Sequence, residues 1–591
     1  MGLPMWPDEP AGRPEPYRGE IMLFKEAADG STATIRQLLR GDASVNQECP
    51  AGETALIWAS ANGRSGAVRL LINSGAAAEI IGSRFGTALV AAVRNCWHET
   101  AELLLEMGAD PNPNFHKLVD DDSNKVYLTK YDQTPLSEAS RNDSLKMVKL
   151  LLEKGATVNA ISSQGTALMV AAGCSHRITE LLIEHGADVN IQTESYIGSA
   201  LQQAAMTANA GIVRLLLQKG AKVNAKAGKV CTALQGASAY GDVATVKLLL
   251  KSGADVNIKG GRYGTALHAA VYEGADEVAQ ALLEAGADLN AFCPPFGTPL
   301  QATVLKNRIK TAELLLARGA NVNVEGYHKG TALQIAARRS PEIVRLLLRN
   351  GADINLQGGK HGSALQAAAY KNKGEIVELL LEEGADVNGK WGFGPYDGGD
   401  SAVYSAARHN NLKIARLLIQ KGSGLDVENS EFRLALAEAS EHGNIEMARL
   451  ILDNFSDAKM EWYSFENALC KAAHGGSREI VRLLLDTMLD RGIEIGRKNL
   501  CRPLESAVTG DSVETAEFLL ERGASARRQE SKGFSPLVWA ATYANFRMVE
   551  LLLTYGANVN EKGYHGRTAY VETEDDSMKE LLLQHGANPR A

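Results

Sequence analysis

The stretch Tyr263–Asn290 reads YGTALHAAVYEGADEVAQALLEAGADLN. Nearly the same phrase returns from Lys329 as KGTALQIAARRSPEIVRLLLRNGADIN and from His361 as HGSALQAAAYKNKGEIVELLLEEGADVN. A chain that repeats itself in this way stacks one small unit many times instead of closing a single core. The opening threonine recurs at Thr232, Thr265, Thr298 and Thr331, 33 residues apart at each step.

The physics of one unit is local. Thr265 precedes the apolar positions Ala266, Leu267, Ala269 and Ala270, so its hydroxyl is placed to cap a first helix by accepting a backbone N–H. Gly274 permits a tight turn. Val278, Ala281 and Leu282 then fall at i, i+3 and i+4, an apolar stripe on a second helix, and Gly286 suits the left-handed position that ends it. Burying one leucine is worth roughly 1.5–3 kcal/mol. Leu282 and Leu283 gain that only when a neighbouring unit covers them, so stability becomes a sum of unit and interface terms.

The phrase resembles the ankyrin repeat, G-x-T-P-L-H-x-A-A followed by L-L-L-x-x-G-A-D-x-N, and can be placed about 17 times along the chain. Openings such as GTALVAA at Gly86, QTPLSEA at Gln133 and FSPLVWAA at Phe534 carry it, as do closings such as GADPN at Gly108 and GANVN at Gly319 and Gly556. The resemblance implies an all-α ankyrin-repeat solenoid of helix-turn-helix units with short β-hairpin or loop fingers. The usual histidine is present as His268 but is glutamine at Gln202, Gln235, Gln301, Gln334 and Gln366. Glutamine both donates and accepts, so it can take over part of the bonding between repeats. This dialect, with glycine-rich fingers such as KGGRYGT (259–265), resembles the multi-repeat arrays of filamentous fungi.

The rhythm divides the chain into a Pro-rich arm (1–19), a main array (20–425), divergent repeats (426–500) and C-terminal repeats (501–591). Insertions interrupt the main array near 113–132 and at 389–400. The second of these, GKWGFGPYDGGD, sets Trp391 and Phe393 on a glycine-rich loop, and aromatic residues are enriched at interfaces. From 426 to 500 the GADVN closings are lost, which predicts weaker coupling between neighbours there.

Composition and motifs bound the function. The 591 residues carry a formal charge of −8, so direct nucleic-acid binding is not expected. No apolar run is long enough for a membrane span. Seven scattered cysteines form neither a disulfide framework nor a zinc site and suit a reducing compartment, cytosolic or nuclear. The His98–Glu99 pair lacks the second histidine of a zinc-protease helix, and the acidic run at 120–124 lacks calcium-loop spacing. No catalytic constellation, cofactor motif or metal set emerges, and the repeats leave no room for a separate catalytic domain.

The expected function is therefore binding: a scaffold or adaptor that grips a protein partner on the concave face of the stack. The resemblance implies that the two residues before the inter-helix turn, and the finger tips, point to that face. Reading the first along the chain gives Arg94, Arg141, Gly173, Met206, Ala239, Tyr272, Leu305, Arg338 and Tyr370, and the second adds Asn142, Tyr240, Glu273, Lys306, Arg339 and Lys371; from Met206 to Tyr370 the row is apolar and aromatic with arginine between. Tyrosine and arginine are common interface anchors. A regulator that binds a transcription factor, in a fungal metabolic setting, is the alternative use of the same surface. An enzyme is a distant third.

Overall fold

The computed structural model describes residues 16–589 apart from 42, 50–51, 114–132, 195, 197, 327–329, 390–400, 423–429, 455–460, 528–534 and 564–565. Those residues form 34 α-helices, which follow one another as pairs, and a single two-stranded sheet joining Ile161–Ser162 to Gly165–Thr166. The chain separates into two compact units, Met1–Thr303 and Val304–Ala591.

The unit quoted above folds as its residues dictate. Thr265 caps the helix Ala266–Glu273, its hydroxyl accepting from the His268 N–H at 3.2 Å. Gly274 sits at φ +83°, the left-handed turn that lets Asp276–Glu284 run back beside the first helix. Leu282 is fully buried and Glu284 is exposed, so the predicted faces of the second helix are the observed ones. The same cap is made by Thr54, Thr87, Thr134, Thr166, Ser199, Thr232, Thr331, Ser363, Ser401 and Ser535. The fingers are minimal. Gly260 and Gly264 make an isolated antiparallel bridge, as do Cys293 with Gly297 and Gly358 with Gly362.

Two sets of polar contacts tie neighbours together. In the first, the residue after the cap reaches forward. His268 Nε2 donates to the Gly297 carbonyl at 3.0 Å while Nδ1 accepts from Thr265 Oγ1 at 2.8 Å, which assigns the neutral Nε2–H tautomer. Gln235 reproduces this, with Oε1 accepting from the Thr232 N–H at 3.0 Å and Nε2 donating to the Gly264 carbonyl at 2.8 Å. Gln334 and Gln366 accept from the Thr331 and Ser363 N–H at 2.8 and 2.7 Å but donate to other carbonyls, those of Leu356 and Gly389, at 2.7 Å. Glutamine thus keeps a forward bond and, at Gln235, Gln334 and Gln366, accepts from the backbone N–H of the cap in place of its hydroxyl, while at Gln202 the buried Oε1 has no partner among the described residues. In the second set, the closing asparagine of one unit bonds the helix end of the next, as at Asn224, Asn257 and Asn323.

The divergent segment is built differently. Its helices Ser430–Glu441, Tyr463–His474 and Arg478–Asp490 run 12, 12 and 13 residues, against 9 for second helices such as Asp276–Glu284. Phe465, Leu484, Leu485 and Met488 are fully buried along them. Among the described residues no helix is long and apolar enough to cross a membrane.

Candidate functional site

In the first unit the row before the inter-helix turn is aromatic at its later repeats. Tyr240 ends the helix Ala233–Tyr240 with 61% of its surface exposed, because Gly241 turns the chain away at φ +78°. One repeat on, Tyr272 is half-buried between two finger residues. Its ring meets Tyr263 edge-on at 5.9 Å and Phe296 at 4.8 Å. The Tyr263 hydroxyl donates to Glu273 Oε1 at 2.9 Å, and the Arg262 guanidinium lies 5.5 Å over the Tyr263 ring. Burial first, and then this bond to a carboxylate, push the Tyr263 phenol up to about 12. These residues form a rigid aromatic ledge carrying both charges at its edge.

Earlier repeats of the same unit spend their arginines internally. Arg94 Nη2 lies 3.1 Å and Arg141 Nε 3.6 Å from the carboxylate of Glu138, which is itself buried. The two guanidinium groups thus share one counter-charge from the same stack.

Met206 does not belong to this surface. It was expected there from its position in the repeat, but only 7% of it is exposed. The reason lies across the interface: the facing residue of the next repeat is Gly236, and a Cβ there would come within 3.0 Å of Met206 Cγ. The methionine fills the space that the missing side chain leaves.

In the second unit, Leu305 is half-buried and its carbonyl accepts from Arg339 Nη1 at 3.3 Å, leaving the Arg339 side chain exposed. Arg338 is half-buried, and its Nε has no hydrogen-bond partner among the described residues. Tyr370 stacks on His361 at 4.3 Å and 30° and faces His409 at 5.5 Å. His409 Nε2 donates to the Tyr370 carbonyl at 2.6 Å, and Lys371 Nζ lies 5.1 Å over the Tyr370 ring. Burial, followed by Arg338, Lys360 and Lys371, lowers the His361 imidazole to about 4. Trp391 and Phe393 lie outside the described residues, as does most of the insertion near 113–132.

Sequence reasoning named the row and the finger tips, but not the individual finger rings that brace it. Phe85, Tyr263, Phe296 and His361 each stand two positions before a capping threonine or serine, as x-[FYH]-G-[TS]. Phe85 also packs edge-on against a first-helix aromatic, Trp58, at 5.4 Å. That recurring ring before the glycine was the available signal. Its meaning rests on a contact across the finger that a linear reading does not contain.

The family described as "Ankyrin repeats (3 copies)" matches this chain in eight overlapping segments from 23–115 to 436–530, and the one described as "Ankyrin repeat" matches 532–564. Among similar proteins, the ankyrin repeat and KH domain-containing protein mask-1 of Caenorhabditis elegans is 29% identical over 211 residues, 35% of this chain and 7% of the relative. The ankyrin repeat and LEM domain-containing protein 1 homolog of the same organism is 35% identical over 85 residues, 14% of this chain and 12% of the relative. The human ankyrin repeat and KH domain-containing protein 1 is 38% identical over 81 residues, 13% of this chain and 3% of the relative. The chain thus spans only a small fraction of the length of each.

Proposed function

The chain belongs to the ankyrin-repeat family, whose repeats are protein-interaction units, and from that premise we infer that it is a non-catalytic adaptor holding partner proteins on the rows before its inter-helix turns. The observation that carries this reading is the recurrence of solvent-reaching anchor residues at the two repeat positions before the inter-helix turn. These are Tyr240 and Tyr272 in the first unit, and Arg338, Arg339 and Tyr370 in the second. Large aromatic and arginine side chains held rigidly by their neighbours lose little entropy on docking, which is why such residues dominate interfaces. The braces around Tyr272 and Tyr370 supply that rigidity before any partner arrives.

The test is recovery of partners from extract with two triple variants, each first checked for folding by circular dichroism. Changing Tyr272, Arg338 and Tyr370 to alanine should deplete the partners recovered by the wild type. Changing Glu284, Arg349 and Glu382, exposed on second helices, to alanine should leave them. The reverse pattern would assign binding to the other face of the repeats.

A further inference from the structure

The second unit carries a local excess of positive charge in a chain whose formal charge is −8. Arg338 and Arg339 lie in the turn after the first helix Ala332–Ala336; Lys371 follows Tyr370 at the end of the next first helix, and Lys360 and His361 form the finger before it. Arg339, Lys360 and Lys371 are exposed. Among the described residues, Arg345 meets Glu375 at 3.7 Å on neighbouring second helices, but no ion pair joins Arg338, Arg339, Lys360 or Lys371 to a carboxylate. Arg94 and Arg141 in the first unit occupy the same repeat position and share Glu138, so the lack of a partner at Arg338 is not a property of the position. His361 is held neutral by burial and by three of these cations, which is the electrostatic signature of like charges gathered without a counter-charge.

We propose that this cluster is the docking site for an acidic segment of a partner protein, bound extended across successive repeats with its carboxylates on Arg338, Arg339, Lys360 and Lys371. The proposal rests on the adaptor reading above and names the partner's chemistry. Stacked helices stand about 8–10 Å apart. An extended chain rises about 3.3 Å per residue, so carboxylates three residues apart match successive repeats. Tyr370, stacked on His361, is the floor over which Lys371 sits. Arginine adds a planar fork suited to a carboxylate.

The test uses the full chain and a fluorescein-labelled Glu-Ser-Gly repeat peptide, read by fluorescence anisotropy. The expected result is binding that weakens as salt rises through the range where the Debye length falls below about 10 Å. The exposed pair R339E/K371E should bind about tenfold more weakly or worse, since it converts attraction to repulsion. The pair R345E/R349E, with the same change in net charge on a second helix, should bind as the wild type does. Absence of binding by the wild type, an equal loss in both pairs, or preference for an oligouridylate of equal charge would overturn the proposal. If the wild type ignores the peptide while the Tyr272, Arg338 and Tyr370 triple still loses its partners, only the carboxylate chemistry fails. If that triple keeps every partner, the adaptor reading fails instead.

Discussion

Asn257 spans two repeats: its Nδ2 donates to the Gly286 carbonyl at 3.1 Å, and its Oδ1 accepts from the Asp288 N–H at 2.8 Å. The closing phrase G-A-D-x-N is therefore a clamp in which the asparagine of one unit grips the glycine that ends the next unit's second helix. Asn190 makes the same pair of bonds to Gly220 and Lys222, and Asn224 to Gly253 and Asp255.

Replacing Asn257 with alanine removes both bonds and leaves the freed groups in water, since the site is exposed. The loss should be about 1–2 kcal/mol, two hydrogen bonds at the usual net worth. Asn257→Asp keeps the acceptor and should fall between. Urea unfolding of the three proteins gives the order wild type, aspartate, alanine.

His268 predicts a specific acid sensitivity. Burial lowers its imidazole from the usual 6.5 to about 4 in the folded chain. Above pH 6.5 neither state binds the proton and the full contribution is present. As the pH falls from 6.5 to about 4, the unfolded chain gains a proton that the folded chain refuses, and stability is lost across that window. The size is on the order of 2–3 kcal/mol. His268→Gln, which Gln235 shows to be sterically and chemically at home, should be as stable at neutral pH and lose less between pH 6.5 and 4. Matched thermal melts of the two proteins across that range make the comparison, and the difference between them isolates His268 from His361.

The 33-residue period made the helix pairs, their caps and their buried faces legible, because each depends on residues close in sequence: Thr265 with His268, Gly274 with its own φ, Leu282 with its own helix. The substitution of glutamine for histidine was legible for the same chemical reason. What escaped was set across interfaces. Met206 is buried because Gly236, in the next repeat, has no side chain. Tyr272 is braced by Phe296, which belongs to the following finger. Neither pairing has a local signature.

The divergent segment shows the same division. Its lost closings predicted weak coupling, yet its longer helices bury Phe465, Leu484 and Met488 completely. Each such side chain is worth roughly 1.5–3 kcal/mol, against about 1 kcal/mol for an exposed clamp bond. Burial wins, so the helix amides of Tyr463–His474 and Arg478–Asp490 should exchange as slowly as those at 233–284. The missing clamp should show only locally. Glu494 stands where Asp255 and Asp288 stand, and its amide should exchange faster than theirs, which Asn224 and Asn257 hold. Hydrogen exchange along the chain reads both.

The central claim is that partners sit on the rows before the inter-helix turns, and site-directed photo-crosslinking reads that contact directly. A benzophenone amino acid would be placed singly at Tyr240 and Arg339 on the rows, and at Glu284 and Glu382 on second helices, all four exposed. Irradiation in extract followed by gel electrophoresis reports each covalent adduct. The account predicts discrete adducts from Tyr240 or Arg339 and none from Glu284 or Glu382; adducts confined to Glu284 and Glu382, or equal at all four positions, would contradict it.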